Sequence, residues 1–154
     1  AMTSQKEKNS AVLKLDQYWP YLVTVLADRI ARRTSALVKT EGLNLSQWRV
    51  LAAIAEVPGR TSVEVVTVTP MDKGIVSRAT KALLEMGLVR RVASQLDGRI
   101  SHLHLTQSGD ALYHRLMPQV SEVLQLASTA LSEDNQNQLG SDLSLLLQAF
   151  PDPR

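Results

Sequence analysis

The sequence has no cysteine, and this single absence excludes disulfides, thiolate metal sites and thiol-based redox sensing together. It has no apolar run long enough to span a bilayer, and Ala1 to Ser10 are polar and lysine-containing, without the apolar core of a secretory signal. The expectation is a soluble cytoplasmic protein with no membrane partner. Glycine-rich phosphate loops, nucleophile elbows and metal-ligand pairs at helical spacing are all missing, so nothing favours an enzyme and no cofactor is called for. Aromatic residues make up only 4% and gather at Tyr18, Trp19, Tyr21 and Trp48. Such a cluster either packs a core between the first two helices or lines a ligand pocket.

A length of 154 residues with 44% hydrophobic and 21% charged residues fits one compact unit with an ordinary core. The net charge of +2 is small, so its distribution says more than its sum. Lys73, Arg78, Lys81, Arg90, Arg91 and Arg99 crowd the middle of the chain against Asp72, Glu85 and Asp97. The segment after Met117 holds several acids and only Arg154 as a base. This pattern suits two surfaces with different partners; the plainer alternative is a solvated charged face.

Apolar residues at Leu22, Val25, Leu26, Ile30, Leu37 and Val38 recur at helical spacing, predicting a long amphipathic helix from near Pro20 to the stop at Glu41-Gly42. Ser46 is the expected cap of a second helix with Trp48, Leu51, Ala52 and Ala55 inward, closed by Pro58-Gly59. Thr61 to Thr69 is rich in β-branched valine and reads equally as a strand on propensity. Asp72 is placed to cap a helix with a buried stripe of Ile75, Ala79, Ala82, Leu83 and Met86, ended by Gly87. Its opposite face carries Lys73, Gly74, Ser77 and Lys81, with Arg78 on the flank. A face so short-chained, cationic and hydrogen-bonding suits a DNA major groove.

Period-two runs from Leu88 to Ala93 and from Ile100 to Leu105 then flank the polar tip Asp97-Gly98, which predicts a β-hairpin. Thr106 should cap a long helix through about Leu131, with Leu112, Leu116, Val120, Val123 and Ala127 inward and a kink at Pro118. A last helix follows Ser132, with Leu139, Leu143, Leu146 and Phe150 on one side. This order predicts a mainly α fold with a small β-hairpin, a winged helix-turn-helix with terminal helices forming a dimerisation region. The helical region covers residues 11–45 and 106–150, and the DNA-binding lobe residues 46–105. A small winged core cannot cover the apolar terminal stripes, so a homodimer on a palindromic operator is expected.

The run Asp97-Gly98-Arg99, followed by Leu105-Thr106 and then Gly109, resembles the D-x-R…L-T-x-x-G signature of the MarR family of bacterial regulators. Met71 to Arg78 and Leu83 to Val89 resemble that family's recognition helix and its exit. The resemblance implies that Thr61 to Val68 is the first helix of the helix-turn-helix pair, although Val66 stands where a small alanine is common. It also implies an effector, commonly a small aromatic or phenolic acid, and a supporting role for Asp97 in orienting arginines near the wing. The bland alternative for Asp97 is a turn residue only.

Lys73, Gly74 and Ser77 are thus expected at base edges or nearby phosphates of double-stranded DNA, Arg78 and Lys81 on phosphates, and Arg99 in or beside the minor groove. The candidate effector pocket is Tyr18, Trp19 and Trp48, with Arg29, Arg32 or Arg33 to receive a carboxylate. His102 and His104, two apart on the hairpin, lack a carboxylate to complete a metal site and are expected as exposed wing residues. The expected function is a transcription regulator, a repressor released by its ligand. The alternatives are a winged-helix protein-protein interaction module without an effector, and a histidine-metal protein or enzyme.

Overall fold

Local capping decides where most of the helices begin. The structure is a computed structural model that describes residues 12–154; Ala1 to Ser10, and residue 11 where the helical region was expected to start, lie outside the described residues. The chain divides into two units, one through Thr34 and one from Ser35 to Arg154. In the first, a 3-10 turn at Leu15–Gln17 precedes the long helix α1, Trp19–Lys39, whose last residues belong to the second unit. Pro20 sits in the first turn of α1, where its missing N–H has no intrahelical partner to lose. Leu22, Leu26 and Ile30 of the expected stripe are exposed, and Val38 is fully buried.

The second unit is organised around α2, Leu45–Glu56, which packs against α3, Ser62–Val68, against α4, Lys73–Glu85, against α5, Gln107–Val120, and against strand β2, Ser101–Leu105. The cap of α2 is Asn44, two residues before the expected Ser46. Asn44 Oδ1 accepts from the Gln47 N–H at 2.8 Å while Gln47 Oε1 accepts from the Asn44 N–H at 3.0 Å, a reciprocal pair that the Asn-x-x-Gln spacing permits. The buried set of α2 is Trp48, Val50, Leu51, Ala53 and Ile54, and Ala52 and Ala55 are only half-buried. A helix covered on several sides loses the single stripe on which the periodicity argument depends.

The valine-rich stretch is helical. Thr61 and Glu64 form a capping box at its start, Val65 is fully buried, and Val66 packs half-buried against the core. Packing of that face overrides strand propensity, and Val63 and Val68 remain exposed. In α4 the cap is Asp72, whose Oδ1 accepts from the Ile75 N–H at 2.8 Å. Its buried stripe is Val76, Ala79, Thr80 and Leu83, turned about one residue from the expected one, with Met86 exposed. The helix ends in a Schellman motif: Leu88 N–H donates to Leu83 O at 3.0 Å, Gly87 N–H donates to Leu84 O at 3.1 Å, and Gly87 takes φ 71°.

Strand β1, Val89–Ala93, pairs antiparallel with β2 in the register Val89↔Leu105, Arg91↔Leu103, Ala93↔Ser101. The loop after α2 extends this hairpin. Gly59 N–H donates to Leu103 O at 2.8 Å, and Leu103 N–H donates to Arg60 O at 2.9 Å. The expected single helix to Leu131 is two: α5 ends at Val120 and α6 spans Val123–Ala127. Pro118 lies in the last turn of α5, where it supplies no backbone donor, and the interruption follows at Ser121-Glu122. Ser132 caps α7, Glu133–Ala149. Among the described residues no helix is long and apolar enough to cross a membrane.

One junction holds α4, the hairpin and α5 together. Thr106 N–H donates to Leu88 O at 3.0 Å, the Thr106 hydroxyl donates to Gly87 O at 2.6 Å, and Thr106 Oγ1 accepts from the Gly109 N–H at 3.1 Å. Gly109 is buried, and a Cβ there would overlap the Leu88 carbonyl. Backbone cannot yield as a side-chain end can, so Gly109→Ala should cost ~1–3 kcal/mol or more. A thermal melt several degrees lower than the parent's is the expected readout, and an unchanged melt would show that the junction relaxes freely.

Candidate nucleic-acid interface

Burial of Val76, Ala79 and Leu83 fixes which side of α4 faces outward. Lys73, Gly74, Ser77, Arg78 and Lys81 are all exposed on that side. None of the three bases is in an ion pair among the described residues. Gly74 is notable for what it does not need to be. A Cβ at Gly74 would meet Arg78 Nη1 at 3.4 Å and Asp72 Oδ1 at 3.5 Å, ordinary contact distances. Packing among the described residues therefore does not demand glycine, although glycine within a helix costs about 0.5–1 kcal/mol relative to alanine. A cleft of about 350 Å³ between α3 and α4, lined by Val63, Val66, Lys73 and Ser77, adjoins the same face.

The wing tip is built by hydrogen bonds rather than by packing. Ser94 N–H donates to Ile100 O at 2.8 Å and Ile100 N–H donates to Asp97 O at 3.0 Å, closing the loop. Ser94 Oγ accepts from the Leu96 N–H at 3.2 Å and the Asp97 N–H at 3.3 Å. Asp97 Oδ1 accepts from the Arg99 N–H at 3.0 Å and from Arg99 Nε at 3.2 Å. The backbone N–H of Arg99, and then its guanidinium, hold the Asp97 carboxyl below the usual carboxylate range. The organising role of Ser94 was not read from the sequence; a serine three residues before an Asp-Gly turn is the available signal.

His102 is not the exposed wing residue expected. It is half-buried, and its Nδ1–H donates to Gly59 O at 2.8 Å, tying the wing to the loop after α2. His104 is half-buried beside Gly59. The long sequence separation of this contact hides it from local pattern. Of the candidate pocket residues, Tyr18, Trp19, Arg29 and Arg32 belong to the first unit, where Arg32 Nε bonds Asp28 Oδ2 at 2.9 Å. Trp48 belongs to the second, is 7% exposed, and stacks on Tyr113 with ring centroids 5.6 Å apart.

Residues 41–100 match the sequence profile of the MarR family. The homoprotocatechuate degradative operon repressor of Escherichia coli is 28% identical over 107 residues, covering 67% of this chain and 70% of that protein. The fold matches a mutant of MarR from E. coli complexed with operator DNA, at a TM-score of 0.72 and 24% identity, over 82% of this chain and 91% of that one. It also matches the PcaV transcriptional regulator from Streptomyces coelicolor in complex with its natural ligand, at a TM-score of 0.73 and 23% identity, over 90% and 97% of the two chains.

The depressed Asp97 pKa fixes the direction of a pH effect. Asp97 prefers its ionised form in the folded wing, so its contribution is present above the ordinary value of 3.8 and fades as pH falls through the lowered one. Order of the Arg99 side chain, measured by ¹⁵N relaxation at Nε, should be flat between about pH 6 and 8 and decline in acid below about pH 4. Asp97→Asn should lower that order at neutral pH; unaltered relaxation would mean that Arg99 is held by something else.

Proposed function

We propose that this chain is a transcription regulator of the MarR family, whose profile its residues 41–100 match, and that it works in the cytoplasm as a homodimeric repressor of a palindromic operator, released by a small aromatic or phenolic acid. The observation that carries the DNA reading is the outward face of α4, where Lys73, Arg78 and Lys81 surround Gly74 and Ser77 and form no ion pair among the described residues. Gly74, which packing among the described residues does not require, lets a duplex backbone or base edge approach the first turn of α4 closely. Lys73 and Ser77 meet base edges or adjoining phosphates, Arg78 and Lys81 hold phosphates, and Arg99, steadied by Asp97, enters the minor groove beside them. A repressor with no catalytic step needs no more chemistry than this.

The dimer reading rests on exposed apolar side chains on the terminal helices: Leu22, Leu26 and Ile30 on α1, Leu124 on α6, and Leu139 and Leu143 on α7. A second copy is the occupant that a two-fold operator calls for. The effector reading is supported by one relative named for homoprotocatechuate, an aromatic acid, and by PcaV, which was solved with its natural ligand. Tyr18 and Trp19, exposed in the first unit, are the aromatic side chains offered to such an acid. Arg32 is already engaged by Asp28, which leaves Arg29 and Arg33 the freer guanidinium groups for a carboxylate.

Light scattering at micromolar concentration should give twice the chain mass, and titration should load two chains per palindrome with half-sites roughly 10 base pairs apart. Aromatic acids that bind should raise the melting temperature and weaken DNA affinity by a coupling of about 1–3 kcal/mol. A monomer sinks the dimer reading, and a panel of acids that does neither sinks the effector reading.

The two DNA-contacting elements should fail differently. Arg99→Ala should weaken binding to every duplex and make the salt dependence shallower by about one unit, with base preference kept. Ser77→Ala should change discrimination among operator variants by about 1–3 kcal/mol with little change in salt slope. If Arg99→Ala binds as tightly as the parent, the wing does not touch DNA, and a protein-binding role for the lobe moves ahead.

A further inference from the structure

Leu96 stands at the crest of the wing, three residues before Arg99, and is 99% exposed. Isolated leucines on a surface need no explanation. Two features set this one apart. First, its backbone is pinned: Ser94 Oγ accepts from the Leu96 and Asp97 N–H groups, Ser94 N–H reaches Ile100 O, and Ile100 N–H reaches Asp97 O. Tips of hairpins usually carry polar residues, and here a hydrogen-bonded frame holds up an apolar side chain instead. Second, it is not alone. In the strand register Val92 faces His102, and Ser94 continues the pairing to Ile100, so Val92 and Ile100 lie diagonally on one face of the hairpin. They are 40% and 44% exposed. Below Leu96 the hairpin thus carries an exposed apolar pair, and in the same tip the Arg99 guanidinium is held by Asp97.

We propose that Leu96 is an apolar wedge pressed into the minor groove of operator DNA next to Arg99. The inference rests on the reading that the wing contacts DNA. Phosphates offer leucine nothing. The apolar surfaces within a wing's reach are the deoxyribose rings that wall the minor groove and the faces of base pairs at a step that opens. Arg99 draws the tip toward the negative potential of a narrow groove, and Leu96 gains by leaving water there and prises the step apart. A pyrimidine–purine step, the easiest to unstack, is the preferred seat. Leu96 is then a specificity residue that reads deformability rather than hydrogen bonds.

The test uses the full chain and an operator duplex recovered by selection with the parent protein. Leu96→Ala removes apolar contact without charge, so affinity should fall about tenfold with the salt slope unchanged, and DNA bending measured by end-to-end fluorescence transfer should decrease. Leu96→Met should restore most of both. Since the chain has no cysteine, Leu96→Cys provides a single thiol for an iron–EDTA label, whose hydroxyl radicals should cut both strands at one step with the 3′ stagger of a minor-groove source. The side chain has no packing partner, so these variants should fold as the parent does. If Leu96→Ala binds and bends DNA like the parent while Arg99→Ala is weaker with a shallower salt slope, the wedge is overturned and the wing's role on DNA stands. If neither substitution alters binding and the label cuts nowhere, the wing reading fails, and the wedge falls with it.

Discussion

The two elements proposed to meet DNA, α4 and the hairpin, are joined where α5 approaches the Leu88 carbonyl. Leu88 closes the Schellman end of α4 through its N–H, and its oxygen accepts from Thr106 at the start of α5. One residue therefore terminates the recognition helix, leads into β1 and anchors α5. Gly109 makes the approach sterically feasible, and the Thr106 hydroxyl completes it by donating to Gly87 O. The L-T-x-x-G part of the family signature is the chemical minimum for this junction: a capping hydroxyl, a backbone donor and a missing Cβ at helical spacing. Any shift of the first turn of α5 must move Leu88, and with it the exit of α4 and the root of the wing.

The second constraint is the burial of α2. Because α3, α4, α5 and β2 all pack on it, its inward positions were hard to separate by period, whereas α4, covered on one side, kept a legible face. Burying Val76, Ala79 and Leu83 leaves Lys73, Ser77 and Lys81 no direction but outward. The same packing makes α3 a helix. Val65 enters the core and Thr69 Oγ1 donates to Val65 O at 2.7 Å, satisfying a carbonyl of its last turn.

Legibility in the sequence followed the range of the interaction. Caps at Asp72, Thr106 and Ser132, the positive-φ glycines after helices, and the hairpin all rest on residues a few positions apart, and each was readable; the capping box of Thr61 and Glu64 is equally local but was hidden by the strand propensity of the valines that follow. The exposed cationic face of α4 was readable because charge and burial oppose one another on one helix. Asn44 was missed because Ser46 is an equally good cap by residue type, and only the reciprocal bond to Gln47 tells them apart. The stripe of α4 was read one residue out of phase, since Ile75, Val76, Ala82 and Leu83 form adjacent apolar pairs that a wheel cannot order. The joining of Gly59-Arg60 to β2, and with it the work of His102, spans more than forty residues and leaves no local trace. Trp48 illustrates a different limit: an aromatic looks the same in sequence whether it receives a ligand or stacks on Tyr113.

Asp72 shows how stability and recognition are reconciled at the same place. As an N-cap it stabilises α4 by about 0.5–2 kcal/mol, and its negative charge is favourable at a helix N-terminus. That charge also sits at the edge of the surface proposed to meet phosphates, where an anion is unwelcome. Neighbouring cations offset it. Lys73 follows directly in the chain, the Arg78 guanidinium lies over Gly74 within reach of the same corner, and Arg154 donates to Met71 O one residue away. Arg154 is in turn held by Asp152, whose carboxyl it pulls down to about 2. The anionic cap thus sits among cationic side chains at the edge of the surface proposed to meet phosphates. A serine cap would remove the anion with a weaker hold on the first turn. The arrangement instead keeps a strongly capped, rigid helix end and places the compensating cations where they can also bind phosphate.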